Sequence, residues 1–140
     1  MSKELIEKKL EQIRVLLKEL AQLLEKPFGE FIKDFMPIRA AERNFQLIVD
    51  LASDINTHIL VERGESTPDT YKQSFYDLAS AKVIEHALAE KLADSAKLRN
   101  ILVHEYDFEE DYGKFYDAAK DFLPAYREYI ETIYKFVAKE

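Results

Sequence analysis

Seven residues punctuate this chain and little else interrupts it. Its 3 glycines and 4 prolines occupy about 5% of 140 positions, against about 12% in an average protein. Pro27 with Gly29, Pro37, Gly64 with Pro68, Gly113 and Pro124 are the only breakers of those two types. Between them lie long segments whose apolar residues recur with helical spacing, and no short run alternates in the manner of a strand. The sequence predicts an all-α fold, an antiparallel bundle of four to five helices.

From Ser2 to Lys26, the residues Ile6, Leu10, Ile13, Leu17, Leu20 and Leu24 form a three-four seam flanked by Leu5, Leu16 and Leu23. A broadened seam of this kind packs into a bundle. A second helix over about Ile38 to Val61 carries the stripe Ala41, Phe45, Ile48, Ala52, Ile55 and Ile59. Leu47 and Leu51 fall off that stripe, toward Arg43 and Asp54. A helix apolar on two sides is central in its bundle or lies at a subunit interface. Gly64 stands where a helix ends. Thr67-Pro68 reads as the cap of a short helix bearing Tyr71, Phe75 and Leu78. A longer helix is expected from near Val83, with Ile84, Leu88, Leu92, Leu98 and Leu102 inside. The acidic run Glu105 to Asp111 is expected to be a loop ending at Gly113. A last helix from Lys114 to about Ala138 buries Phe115, Ala119, Phe122, Tyr126, Ile130, Ile133 and Val137, and Pro124 should kink it. Residues 1–140 read as one domain, with residues 1–26 an additional helix packed on it.

With 20 Lys and Arg against 27 Asp and Glu, the net charge is −7. Such a chain has no general attraction for phosphate backbones or anionic lipid, so any RNA contact must be local. Cysteine is absent, which excludes disulfides, thiolate metal sites and cysteine nucleophiles. The opening MSKELIEKKLEQ lacks an apolar signal-peptide core, and no stretch approaches the ~18 uncharged apolar residues of a membrane span. The expectation is a soluble, cytoplasmic protein without membrane contact.

Three histidines are the first places to seek chemistry. A di-iron bundle needs Glu-x-x-His pairs, but the residues three before His58, His86 and His104 are Ile55, Val83 and Ile101. No zinc-protease motif or glycine-rich phosphate loop occurs either. No metal and no cofactor is expected. His58 and His86 are explained as polar residues on helix flanks. His104 differs, because Arg99, Asn100, His104 and Tyr106 crowd into RNILVHEY. Asn100 and His104 are one turn apart and share a face, whereas Arg99 is about 140° round the helix from His104. To bring that pair together requires the reach of arginine, a loosened last turn, or a second copy across a symmetric interface. Arginine grips phosphate in a planar fork, and histidine moves protons near neutral pH. RNA supplies its own nucleophile, the 2′-hydroxyl. These side chains suit phosphodiester cleavage without a metal.

The Arg-x4-His-x-Tyr spacing of Arg99, His104 and Tyr106 resembles the signature of the HEPN superfamily, and within it the HepT-like toxins. The resemblance runs from about Ile38 to the C-terminus and includes the helix AAERNFQLIVDLASDINTHIL and the Thr-Pro-x-x-Tyr-x-x-x-Phe segment from Thr67 to Phe75. It implies a metal-independent endoribonuclease, the toxin of a two-gene toxin–antitoxin system, acting as a symmetric homodimer on an RNA substrate. Arg99 and His104 would be the catalytic pair and Asn100 their support. A minimal nucleotidyltransferase antitoxin would transfer AMP to Tyr106. The alternative is a non-catalytic HEPN binding module that partners a nucleotidyltransferase. The intact motif argues for the nuclease.

Overall fold

The computed structural model describes residues 2–104 and 111–140, with the side chains of Ser2 and His104 outside that description. Among the described residues six helices follow in order: α1 (Ser2–Leu23), α2 (Phe28–Phe31), α3 (Phe35–Glu62), α4 (Tyr71–Ser80), α5 (His86–His104) and α6 (Tyr112–Ala138). Among the described residues there is no strand. The expected four to five helices are thus five long ones and a single turn, α2.

All six seam residues of α1 are buried, from Ile6 to Leu24. Lys9 pairs with Asp54 and Glu19 accepts from Asn44, so α1 runs antiparallel to α3. Tyr116 of α6 donates to the Lys26 carbonyl at 2.6 Å, which fixes the turn after α1 against the start of α6. Helices α3 and α6 share a direction: Phe45 packs on Phe115 and Phe122, and Tyr129 lies beside Ala52 and Asn56. The whole expected stripe of α3 is buried. α1, α4 and α5 all pack on α3, and Leu51 lies half-buried against the core. The chain therefore covers much of the second apolar side of α3 itself. α3 is thus central in the bundle, while Leu47 stays half-buried outside the core.

Helix ends differ from expectation where capping chemistry decides them. α3 begins at Phe35, three residues before Ile38, because Asp34 accepts from the Met36 amide at 3.0 Å. It ends as expected at Gly64, whose φ of +82° allows the Glu65 amide to reach the Leu60 carbonyl at 2.9 Å. α4 is capped by Thr70 and not by Thr67: its hydroxyl accepts from the Gln73 amide at 3.0 Å. The pattern Thr70-x-x-Gln73 is a capping-box sequence that Pro68 overshadows. α5 starts at His86, three residues after Val83. Lys82 takes a left-handed turn, and the Val83 amide closes back on the Leu78 carbonyl at 2.9 Å. Val83 and Ile84 are thereby used as buried anchors of the turn and do not open the next helix. α6 starts at Tyr112 and not at Lys114, because Asp111 accepts from the Lys114 amide. Gly113 lies inside that first turn, where an added Cβ would stand 3.3 Å from the capping Asp111 oxygen. α6 continues through Pro124 to Ala138. Of the expected acidic loop, positions 105–110 lie outside the described residues.

A buried polar chain crosses the core. Tyr129 donates to Asn56 Oδ1 at 2.6 Å and lies 3.1 Å from the Ala52 carbonyl. Asn56 Nδ2 donates to Ser74 Oγ at 3.0 Å, and Ser74 donates to the Tyr71 carbonyl at 2.6 Å. Burial holds the phenols of Tyr126 and Tyr129 above their ordinary pKa. The unfolded chain ionises them from about pH 10 while the folded chain does not. Their contribution to stability is therefore complete below that pH and declines as the pH rises beyond it. Tyr129→Phe should destabilise by about 1–3 kcal/mol, since it leaves Asn56 Oδ1 without its donor. It should also flatten the alkaline loss of stability, measurable by urea melts at pH 8 and above pH 10. An unchanged midpoint and an unchanged alkaline slope would contradict this.

Candidate active site

Arg99, Asn100 and His104 all belong to the last two turns of α5, and the backbone stays helical to His104. The last turn is not loosened. Asn100 and His104 keep their one-turn spacing, while the Arg99 side chain is engaged on neighbouring helices. Its Nε donates to Asp50 Oδ1 of α3 at 2.8 Å, and its Nη1 donates to Asn100 Oδ1 at 3.3 Å. The guanidinium carbon stands 4.7 Å from the centre of the Tyr71 ring at the start of α4. The Arg99 side chain is only 14% exposed and that of Asp50 27%, so this pair is far drier than the protein's surface pairs. Asn100 itself is exposed. Tyr106 lies outside the described residues.

One turn before Arg99, Ser95 is buried and ties α5 to α6. Its hydroxyl proton goes to the Leu92 carbonyl at 2.5 Å, so in the 2.7 Å contact with Tyr126 the phenol is the donor. Burial raises the Tyr126 pKa, the Ser95 contact opposes that rise, and the negative charge of Asp50 adds to it. The phenol is therefore a neutral donor at neutral pH. Ser95–Tyr126 thus ties α5 to α6 one turn before Arg99, and Ser74–Asn56–Tyr129 ties the start of α4, which carries Tyr71, to α3 and α6.

The sequence identified Arg99 and Asn100 but not the partners of Arg99. Asp50 is 49 residues away, and its only local signal is an acid inside the apolar run LIVDLA. Tyr71 reads as a packing residue of the short helix with Phe75 and Leu78 and as part of the family-like Thr67 to Phe75 segment, not as a partner of Arg99. His86 is exposed at the start of α5. His58 is half-buried beside Lys9 and Asp54, and its Nε2 has no hydrogen-bond partner. Among the described residues no three His, Asp or Glu side chains converge as a metal-ligand set, and no helix is long and apolar enough to cross a membrane.

Residues 7–133 match the family model described as Ribonuclease HepT-like. The chain belongs to the HepT-like family. It is 32% identical over 133 residues to the tRNA nuclease HepT of Aphanizomenon flos-aquae, a match that covers 95% of this chain and 90% of that protein. Its structure is similar to that of the tri-AMPylated Shewanella oneidensis HEPN toxin in complex with MNT antitoxin. That likeness has a TM-score of 0.81 at 26% identity and covers 91% of this chain and 95% of the toxin. The fold is also similar to that of YutE, a cytosolic Bacillus subtilis protein of unknown function, with a TM-score of 0.74 at 18% identity. That pair spans 94% and 90% of the two chains. The all-α fold and the family that the Arg99–His104–Tyr106 spacing suggested are therefore those of a HepT-like protein.

The Arg99 side chain is largely buried against Asp50 and Tyr71, so its removal should cost the fold more than loss of a surface pair. Arg99→Ala should lower stability by about 1–3 kcal/mol. Circular dichroism should show a protein that keeps its helical content and melts cooperatively at a lower midpoint. A collapse of the melt would assign Arg99 to the scaffold.

Proposed function

We propose that this HepT-like protein is a metal-independent endoribonuclease, the toxin of a two-gene toxin–antitoxin pair in the cytoplasm, with tRNA as its substrate. The reading is carried by the presentation of Arg99: it is held through Nε, so Nη2 and one hydrogen of Nη1 are left to meet a phosphate. The Aphanizomenon relative, a tRNA nuclease by name, supports the substrate class. Arg99 grips the scissile phosphate and steadies the charge that builds on it during attack. His104 takes the proton of the RNA 2′-hydroxyl as that oxygen bonds to phosphorus. The bond to the 5′-oxygen then breaks, and that oxygen leaves with a proton from a second imidazole. A symmetric homodimer supplies that imidazole, the other copy of His104. Asn100 holds an Nη1 hydrogen of Arg99 and supports its placement. The expected assay result is tRNA cleavage that persists in EDTA and falls about 10²–10⁴-fold in His104→Ala. Loss of cleavage on chelation, or a His104→Ala variant as fast as wild type, would overturn the mechanism.

The partner in this reading is a minimal nucleotidyltransferase that attaches AMP to Tyr106. The Shewanella toxin, tri-AMPylated and bound to an MNT antitoxin, supports that pairing. The phenol oxygen of Tyr106 attacks the α-phosphorus of ATP and pyrophosphate leaves. The new phosphodiester places an anion two residues from His104, where it competes with RNA for Arg99. Co-expression with such a transferase should add one or more AMP masses to the wild type and abolish its cleavage. Tyr106→Phe should gain no such mass at that site and stay active. An equal gain on Tyr106→Phe would move the acceptor elsewhere.

A further inference from the structure

The guanidinium of Arg99 has two faces and five N–H bonds, and contacts within the chain take one face and two of those bonds. Asp50 Oδ1 occupies the Nε edge at 2.8 Å, and the Tyr71 ring covers one face with the carbon 4.7 Å from its centre. Asn100 Oδ1, at 3.3 Å, takes a hydrogen of Nη1. Three N–H bonds remain, one on Nη1 and two on Nη2, and these two nitrogens share the terminal edge. Arginine can bind an oxyanion side-on through Nε and one terminal nitrogen, or end-on through both terminal nitrogens. Here the side-on mode is already spent on a carboxylate.

We infer that Asp50 and Tyr71 are positioning residues that restrict Arg99 to end-on capture of an RNA phosphate. This rests on the ribonuclease reading above for its substrate, while the cradle itself stands on the contacts just described. Two features make the restriction firm. The Arg99 side chain is 86% buried, with its exposure at 14%, so few rotamers remain open to it. Both partners are also anchored from below. Asp50 sits on the central helix, and Tyr71 caps the polar chain through Ser74, Asn56 and Tyr129. Neither residue touches the reacting atoms in this arrangement. Asp50 fixes the rotation of the guanidinium in its own plane, and Tyr71 fixes the plane.

The test separates orientation from folding. Asp50→Ala and Tyr71→Ala should keep the helical content but lose about 10²-fold in kcat with KM little changed, because misorientation is felt at the transition state. Asp50→Asn keeps an acceptor oxygen and Tyr71→Phe keeps the ring, so each should recover most of the lost rate. A purely structural role would not give that pattern of rescue. In parallel, the Arg99 Nε–H resonance of isotope-labelled protein without RNA should exchange slowly with water in the wild type and rapidly in Asp50→Ala. Alanine variants with wild-type kcat, conservative variants as slow as alanine, or an Nε–H signal indifferent to Asp50→Ala would each overturn the inference. If the wild type cuts no RNA at all, the functional reading fails, and the resonance alone decides whether the cradle exists.

Discussion

The hydrogen-bonded path from Tyr129 through Asn56 and Ser74 to the Tyr71 carbonyl is the constraint on which the candidate site rests. Each link adds only about 0.5–1.5 kcal/mol net. Their greater effect is on uniqueness. Apolar side chains at three helix interfaces can slide by a fraction of a turn at small cost, but a buried donor that loses its acceptor cannot be compensated by water. The path therefore sets the height of α4 against α3 and α6. Tyr71 is the first residue of α4, and its ring is the platform beneath Arg99. A shift of one turn along any of these helices would leave the guanidinium over nothing.

Much of this was legible in the sequence, and the limits were physical. Seams at Ile6 to Leu24 and at Ala41 to Ile59 are periodic, local and long, so the amphipathic pattern located the helices. Their ends were harder. Thr67-Pro68 looked like a cap, but a cap is decided by which oxygen meets which amide, and Thr70 had the better reach. Val83 and Ile84 looked like the first turn of α5 because they are apolar at the right spacing. A reverse turn at Lys82 needs buried anchors of the same kind. At the site, the spacing of Arg99, Asn100 and His104 within one motif was visible. The Asp50 carboxylate was not, because no periodicity links residues on separate helices that meet only when the chain is folded.

If the proposed ribonuclease reading holds, a chain of net charge −7 gains nothing from long-range attraction in meeting RNA. Recognition must be concentrated in short-range contacts. A guanidinium held in a dry cradle suits that demand, since its interaction with an anion is strongest where water is scarce. The neighbouring Asp50 withdraws part of that advantage. In exchange it keeps the free edge of Arg99 in a single orientation, which matters more for a transition state than for ground-state binding.

The supports of this cradle come from the end of the chain. Tyr126 and Tyr129 belong to α6, and the same helix closes against the turn after α1, with Tyr116 bonded to the Lys26 carbonyl. During synthesis the first five helices leave the ribosome before any of these hydroxyls exist outside it. A nascent HepT-like chain therefore carries its complete Arg99–His104 motif before the α6 hydroxyls that bond to Ser95 and Asn56 are available. The Asn56–Tyr129 contact closes a loop of 73 residues, an entropic cost that local helix formation does not carry. On the reading proposed above, a toxin aimed at tRNA would thus be assembled only after its own translation has ended, a delay written into the order of its helices.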